Sequence, residues 1–350
     1  MKGHETGREG QGPILALDIG GGTQDLLVRF EGGPAENDLQ CILPSPTVMV
    51  ARRIQAARRK KQAVFLKGRV MGGGPSTQAV LDHIRAGLPV YATPEAALTL
   101  RDDLKEVVRL GVRLTSSPPE GAVPIVLGDI QQSALKRLFR AFDLPFPEIR
   151  LVAVQDHGFA PGKSNRRFRF QQWEEFLLSG RPLESLLYRN IPDHLTRMQA
   201  VKKVWPQARV MDTGAAAVLG ALEDERVREK DPCRLLVVNL GNEHTLAAWI
   251  RDGRLAGILE HHTSFLTPEK LDALLKDFVA GRLTSEEVLA DEGHGCLNLA
   301  PWKGRCPIPV VTGPRRGLLA GKEALMAAPY GNMMLSGCYG LIRAFRFSTP

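Results

Sequence analysis

The chain has little cysteine: five residues in 350, at Cys41, Cys233, Cys296, Cys306 and Cys338. An odd, scattered set excludes a dense disulfide framework and points to reduced thiols in a cytoplasmic protein. No CxxC pair and no CxxxCxxC cluster occurs, so a radical iron–sulfur enzyme is not expected. Long hydrophobic runs are also missing. The longest fall far short of the ~20 residues that span a bilayer, and no membrane partner is expected. Residues 1–12 are polar and Gly-rich without an apolar h-region, which reads as a disordered tail and not as a signal peptide. HExxH and Cys/His zinc signatures are absent.

What remains is the composition of a globular protein, 43% hydrophobic and 24% charged, long enough for two domains. The net charge of +8 is modest. Its densest cluster, Arg52, Arg53, Arg58, Arg59, Lys60 and Lys61, follows Pro44-Ser45-Pro46 and reads as the solvated face of a helix, not a nucleic-acid site. Arg167-Phe168-Arg169-Phe170 alternates like a half-exposed strand. Strand and helix patterns alternate, which argues an α/β class. Strands are expected over residues 124–128, 149–154, 235–239, 245–250 and 308–312, and a loop over 291–307. Thr267-Pro268 and the capping box Thr284-Ser285-Glu286-Glu287 each start a helix. Charge and proline at Glu229-Lys230-Asp231-Pro232 suggest a domain boundary.

The most informative stretch runs from Ile14 to Val28. An apolar strand ends in Asp18, the turn Gly20-Gly21-Gly22-Thr23 follows, and Gln24-Asp25-Leu26-Leu27-Val28 begins a second strand. Glycines lack Cβ atoms, so the backbone N–H groups of this turn can approach an anion closely. Asp18 can hold a hydrated cation and Thr23 adds a hydroxyl, which together make a phosphate–Mg²⁺ cradle. It is not a Walker A loop, because no Gly-Lys-Ser/Thr follows, nor a dinucleotide turn, because a strand comes next.

Asp18-Ile19-Gly20-Gly21-Gly22-Thr23 resembles the first phosphate motif of the actin, sugar-kinase and DnaK-type chaperone ATPase superfamily. Four later segments resemble that superfamily's remaining landmarks, in order. Val237-Val238-Asn239-Leu240-Gly241-Asn242-Glu243-His244-Thr245 is similar to the second phosphate motif, with Asn239 where the superfamily usually has Asp and Asn242 where Gly is common. Met211-Asp212-Thr213-Gly214-Ala215-Ala216-Ala217 is similar to the first connecting helix. The acidic residue there lies near the attacking water in some members and is the general base in others; Asp212 also reads as a plain helix N-cap. Pro309-Val310-Val311-Thr312-Gly313-Pro314-Arg315 resembles the adenosine motif, which puts Gly313 and Arg315 beside a purine. Leu335, Gly337, Cys338, Gly340 and Leu341 resemble the second connecting helix.

The resemblance implies two ribonuclease-H-like domains of actin-like ATPase architecture around a nucleotide cleft, residues 13–230 with an enlarged insertion and residues 233–350. It implies ATP and Mg²⁺, with Asp18 on the metal and Asp212 positioning a water or hydroxyl. Gly20, Gly21, Gly22, Thr23 and Gln24 would clamp the phosphates from one side, and Asn239, Gly241, Asn242, His244 and Thr245 from the other. Lys67 is a further candidate to reach them.

A narrower resemblance rests on the first turn, Ala153-Val154-Gln155-Asp156-His157-Gly158, Asn165-Arg166-Arg167-Phe168-Arg169-Phe170, the second turn and Glu260-His261-His262-Thr263. Together they resemble a prokaryotic family of the superfamily often described as "pyruvate formate-lyase activating", a chemistry for which this chain lacks the cysteine cluster. His157, His244, His261, His262 and His294 stand in polar segments, several beside carboxylates. Singly, each reads as structural. Together, at least two are expected to line one cleft and bind a phosphate or a divalent transition metal; carbamoyl-transferring members of the superfamily use His-bound metals. The expected activity is a slow ATPase or conformational switch acting on a protein partner. The alternative is phosphoryl- or metal-assisted transfer to a small acceptor, for which no pocket is legible.

Overall fold

The computed structural model describes residues 12–30, 32–230 and 234–348. The tail expected over residues 1–12 lies outside them apart from Gly12, as do Asp231 and Pro232 of the expected boundary and Cys233. The chain opens with β1 (Ile14–Ile19), β2 (Thr23–Arg29) and β3 (Leu39–Pro44). Helix α1 (Pro46–Arg59) starts where Ser45 accepts a hydrogen bond from the Val48 N–H, with Pro46 in the first turn, where its missing N–H costs nothing. An insertion follows: β4 (Val64–Gly68), α2 (Pro75–Arg85), β5 (Val90–Ala92), α3 (Pro94–Ala97), α4 (Leu104–Arg109), β6 (Val112–Leu114), β7 (Val123–Leu127) and α5 (Gln132–Ala141). Then come β8 (Ile149–Val154), α6 (Asn165–Leu178), α7 (Thr196–Val204), β9 (Arg209–Met211), α8 (Thr213–Ala221) and α9 (Glu225–Arg228). The last part holds β10 (Leu235–Leu240), β11 (His244–Arg251), β12 (Arg254–His262), α10 (Pro268–Val279), α11 (Ser285–Ala290), β13 (Gly295–Asn298), β14 (Val310–Thr312), β15 (Leu325–Met326) and α12 (Ser336–Phe347).

The strands form three sheets. The first has the order β3-β2-β1-β8-β9 and the second β13-β12-β11-β10-β14-β15. In the first, β1 to β3 are antiparallel, while β8 and β9 run parallel to β1. In the second, β10 to β12 are antiparallel, while β14 and β15 run parallel to β10. Five strands of the second sheet therefore repeat the first in order and direction. This is the ribonuclease-H-like unit, present twice. The insertion forms a separate parallel sheet, β6-β5-β4-β7.

Helices α8 and α12 pack between the two repeated sheets, where Ala216 and Leu341 share a core with Ala16, Leu151 and Val237. They cross with almost nothing between their backbones. A Cβ on Gly220 would lie 1.6 Å from Ser336 O, and one on Gly340 would lie 1.8 Å from Ala216 O. Only glycine permits that approach.

Two local expectations need correction. Arg167-Phe168-Arg169-Phe170 lies in the first two turns of α6 and is not a strand: Ser164 caps the helix by accepting from Arg167 N, and Arg169 turns inward with Phe170, Trp173, Phe176 and Leu177. The expected loop 291–307 contains β13, which pairs with β12. The basic residues Arg52, Arg53, Arg59, Lys60 and Lys61 are exposed on or just after α1. Among the described residues no helix is long and apolar enough to cross a membrane.

Candidate functional site

Both repeated units close their first hairpin with the same turn. Gly20 N donates to Thr23 O and Gly241 N donates to His244 O, each at 2.9 Å. Thr23 and His244 thus hold equivalent places, as do Asp18 and Asn239, each two residues before the glycine. The turns face one another. A Cβ on Gly21 would lie 2.5 Å from Glu243 Cγ, and one on Gly22 would lie 2.4 Å from Asn242 Nδ2. A cavity of about 70 Å³ lies in this region, bordered by Asp18, Thr23, Asp25, Thr213, Asn239 and Gly313.

Strand register puts Asp18 directly opposite Asp25, so both carboxyls share one face of the sheet. The matching pair in the second unit is Asn239 and Leu246, which carries no charge. Burial raises Asp18 to about 7; Asp212 adds to the rise, against a hydrogen bond from Thr213 Oγ1. Burial and the charge of Asp18 raise Asp25 to about 8. Asp25 Oδ1 is buried without a partner. A half-buried and a buried carboxyl with an orphan oxygen suit a hard divalent cation, so the residues present fit Mg²⁺.

A second cavity, of about 370 Å³, is bordered by Gly20, Gly21 and Thr213 on one side and by His157, His244 and His262 on another. The Gly72-Gly73-Gly74 loop that starts α2 also borders it. His157, His244 and His294 bring ring nitrogens within 4.8 Å of one another. The His262 ring centroid lies 4.8 Å from that of His244 and 4.7 Å from that of His294. Burial lowers His157 to about 3 and His294 to about 4, and pushes His244 well below the usual value, so all three are neutral. Behind them lies a buried polar network. Arg169 pairs with Asp212 at 2.7 Å and with Glu260 at 3.1 Å. Trp173 Nε1 and Gln155 Nε2 donate to the Glu260 carboxylate at 2.9 and 2.7 Å. Burial alone would raise Glu260, but the Arg169 guanidinium holds it below the usual carboxylate range.

The structure therefore brings four of the five singled-out histidines together. His261 faces the other way, with Nε2 3.1 Å from Asp291 Oδ2. Gly20, Gly21, Thr23, Asn239, Gly241, Asn242 and Gly313 border the small or the large cavity; Gly22 meets the Asn242 side chain. Gln24 does not border either one: its Nε2 donates to Pro44 O at 3.1 Å and ties β2 to the end of β3. Thr245 is buried against Thr263, 3.0 Å between hydroxyls. Arg315 is exposed, and Met333 and Met334 line the small cavity beside Gly313. Asp212 caps α8 through Gly214 N and Ala215 N and pairs with Arg169; the next residue, Thr213, borders both cavities. Lys67 is exposed on β4 in the insertion sheet. Sequence reasoning missed Asp25, the Arg169–Glu260 pair and the glycine loop before α2. The last had a readable signal, three glycines followed by Pro75 at a helix start.

A duplicated ribonuclease-H-like unit with facing glycine turns and two helices crossing behind them defines the actin-like ATPase class of fold. Within it, the chain belongs to the family described as "Putative pyruvate format-lyase activating enzyme (DUF1786)", whose profile matches residues 71–318. No curated protein sequence matches it. Among solved structures, ethanolamine utilization protein EutJ from Carboxydothermus hydrogenoformans is similar at 12% identity, over 94% of this chain and 88% of that one, with a TM-score of 0.32. The Aquifex aeolicus PPX-GPPA enzyme is similar at 12% identity, over 86% of this chain and 67% of that one, with a TM-score of 0.29.

Proposed function

We propose that the chain binds ATP with Mg²⁺ between its two glycine turns and hydrolyses it slowly, as a conformational switch in the cytoplasm. The observation that carries this reading is the pair of identically closed turns facing each other beside the Asp18–Asp25 pair. Turn N–H groups on both sides suit the phosphates, and the two carboxylates suit a hydrated Mg²⁺. When bound, the metal neutralises phosphate charge. Gly313, Met333 and Met334 border the end left for the base. Thr213, bonded to Asp18, borders both cavities, and Asp212 fixes it by capping α8. Asn239 supplies no negative charge opposite Asp18, which accounts for slow turnover. The Glu243 and Asn242 side chains stand against Gly21 and Gly22 of the opposite turn. Binding therefore parts the turns, with the α8–α12 crossing as pivot, and that movement is the switch.

A second reading, transfer to a small acceptor, is favoured by the larger cavity, which adjoins the small one at Gly20, Gly21 and Thr213. The α2 N-terminus on its wall suits an anionic acceptor. Radical activation of pyruvate formate-lyase is not part of either reading: the described cysteines lie on β3, on β13, before β14 and on α12.

Calorimetry of ATP binding in Mg²⁺ tests the proposal. Gly21→Val puts side-chain atoms where backbone must meet phosphate and is expected to weaken binding by ~1–3 kcal/mol. Unchanged affinity removes the phosphate assignment. Turnover that requires an added acceptor, which becomes labelled, selects the second reading.

A further inference from the structure

We propose that His157, His244 and His294 bind a divalent transition metal of the zinc class, with one coordination position open to the larger cavity. The three come from separate segments: the loop after β8, the first residue of β11 and the loop after α11. His157 Nε2 and His294 Nε2 stand 3.3 Å apart. Tetrahedral zinc with bonds of ~2.05 Å separates its nitrogen ligands by roughly 3.3 Å, so this pair already spans one edge of such a site. His244 closes the set within 4.8 Å.

Three of the ring nitrogens lack other work. Both nitrogens of His244 and Nδ1 of His294 are buried without a hydrogen-bond partner. A buried polar atom left unpaired is costly, and an ion among these rings satisfies them at once. Glu260 supplies buried negative charge beside them, locked in place by Arg169, Trp173 and Gln155. His262 packs on the cluster with its Nδ1 donating to Glu292 O at 2.6 Å, which fixes the ring against the site.

The donor set selects the ion. Imidazole nitrogens suit Zn²⁺ or Fe²⁺, while Mg²⁺ prefers oxygen, so this site is distinct from the Asp18–Asp25 pair. His157 and His244 border the cavity and His294 is fully buried, which leaves the free position facing the cavity. Three protein ligands with an open position are the pattern of a catalytic centre and not of a structural one. The site does not depend on nucleotide binding, and its test uses none.

Full-length protein without a His tag is stripped with chelator and titrated with Co²⁺, followed by visible absorption and calorimetry. One equivalent is expected to bind with the intense bands of tetrahedral cobalt and to be displaced by one equivalent of Zn²⁺. His244→Ala removes a ring that makes no hydrogen bond in the fold. It is expected to keep the parent's circular dichroism and to bind Co²⁺ at least ~100-fold more weakly. His294→Ala serves as the second variant with the same expected loss, and His261→Ala is expected to bind like the parent. Absence of tetrahedral cobalt in the parent overturns the proposal, as does wild-type affinity in both His244→Ala and His294→Ala. Uptake of inorganic phosphate with no uptake of Co²⁺ overturns it too.

Discussion

Asp25→Asn is the sharpest probe of the cation site. In the fold Asp25 titrates at about 8 and Asp18 at about 7, both against 3.8 when exposed. Between those limits the folded protein holds protons that the unfolded chain has lost. The pair therefore costs nothing below about pH 4, and its cost grows as pH rises, reaching its full size once both carboxyls ionise above about pH 8. At 1.36 kcal/mol per pKa unit, Asp25 alone costs on the order of 5 kcal/mol in cation-free protein near pH 8.5. The asparagine keeps the shape and removes the charge. Without Mg²⁺ it is expected to melt at least ~5 °C above the parent near pH 8.5 and close to it near pH 5. Mg²⁺ acts oppositely on the parent. Protons compete for the same oxygens, so millimolar Mg²⁺ is expected to raise the parent's melting temperature more near pH 8.5 than near pH 6, and to do little to the variant. Differential scanning calorimetry across this pH range, with and without Mg²⁺, measures all of these shifts. A variant less stable than the parent near pH 8.5 without Mg²⁺ refutes the reasoning, as does a parent indifferent to Mg²⁺ there.

Three more expectations follow from other parts of the molecule. Arg169→Met strips the partner from buried Glu260 and Asp212 and is expected to cost ~3–5 kcal/mol in urea denaturation; a loss under 1 kcal/mol contradicts the network. Gly340→Ala places a Cβ 1.8 Å from a backbone oxygen that cannot rotate away, so a loss of ~1–3 kcal/mol or more is expected, and an unchanged denaturation midpoint contradicts the close crossing of α8 and α12. Asn239→Asp adds a carboxylate to the wall of the small cavity and is expected to raise steady-state ATP turnover; slower turnover at every Mg²⁺ concentration contradicts the reading of that position.

What was legible in the sequence is what depends on local chemistry. The turns at residues 20–23 and 241–244 stand out because glycine between apolar strands has few other uses, and the capping box of α11 forms as read. Of the insertion sheet only β7 was legible, as the strand expected over residues 124–128. Two of its other parallel strands, Val64-Phe65-Leu66 and Val90-Tyr91-Ala92, are short apolar runs with no alternation to separate them from helix. The N-terminal half of helix α6 was misread, although the apolar residues from Trp173 to Leu178 mark its second half, because Arg169 points into the core toward Glu260 and Asp212 and a buried charge breaks the apolar stripe there. Asp25 gained meaning only through cross-strand register with Asp18. The histidines converge because strand ends and loops from one edge of the second sheet meet the loop after β8. His261 is excluded because neighbours on a strand point to opposite faces.

The central claim is that nucleotide phosphates sit between the two glycine turns. A crystal structure of the full chain with Mg²⁺ and a non-hydrolysable ATP analogue tests it most directly. The predicted result is phosphate oxygens within hydrogen-bond reach of N–H groups in both turns, with Mg²⁺ beside Asp18 and Asp25. An analogue that binds outside this cleft at saturation, or leaves it empty, contradicts the account.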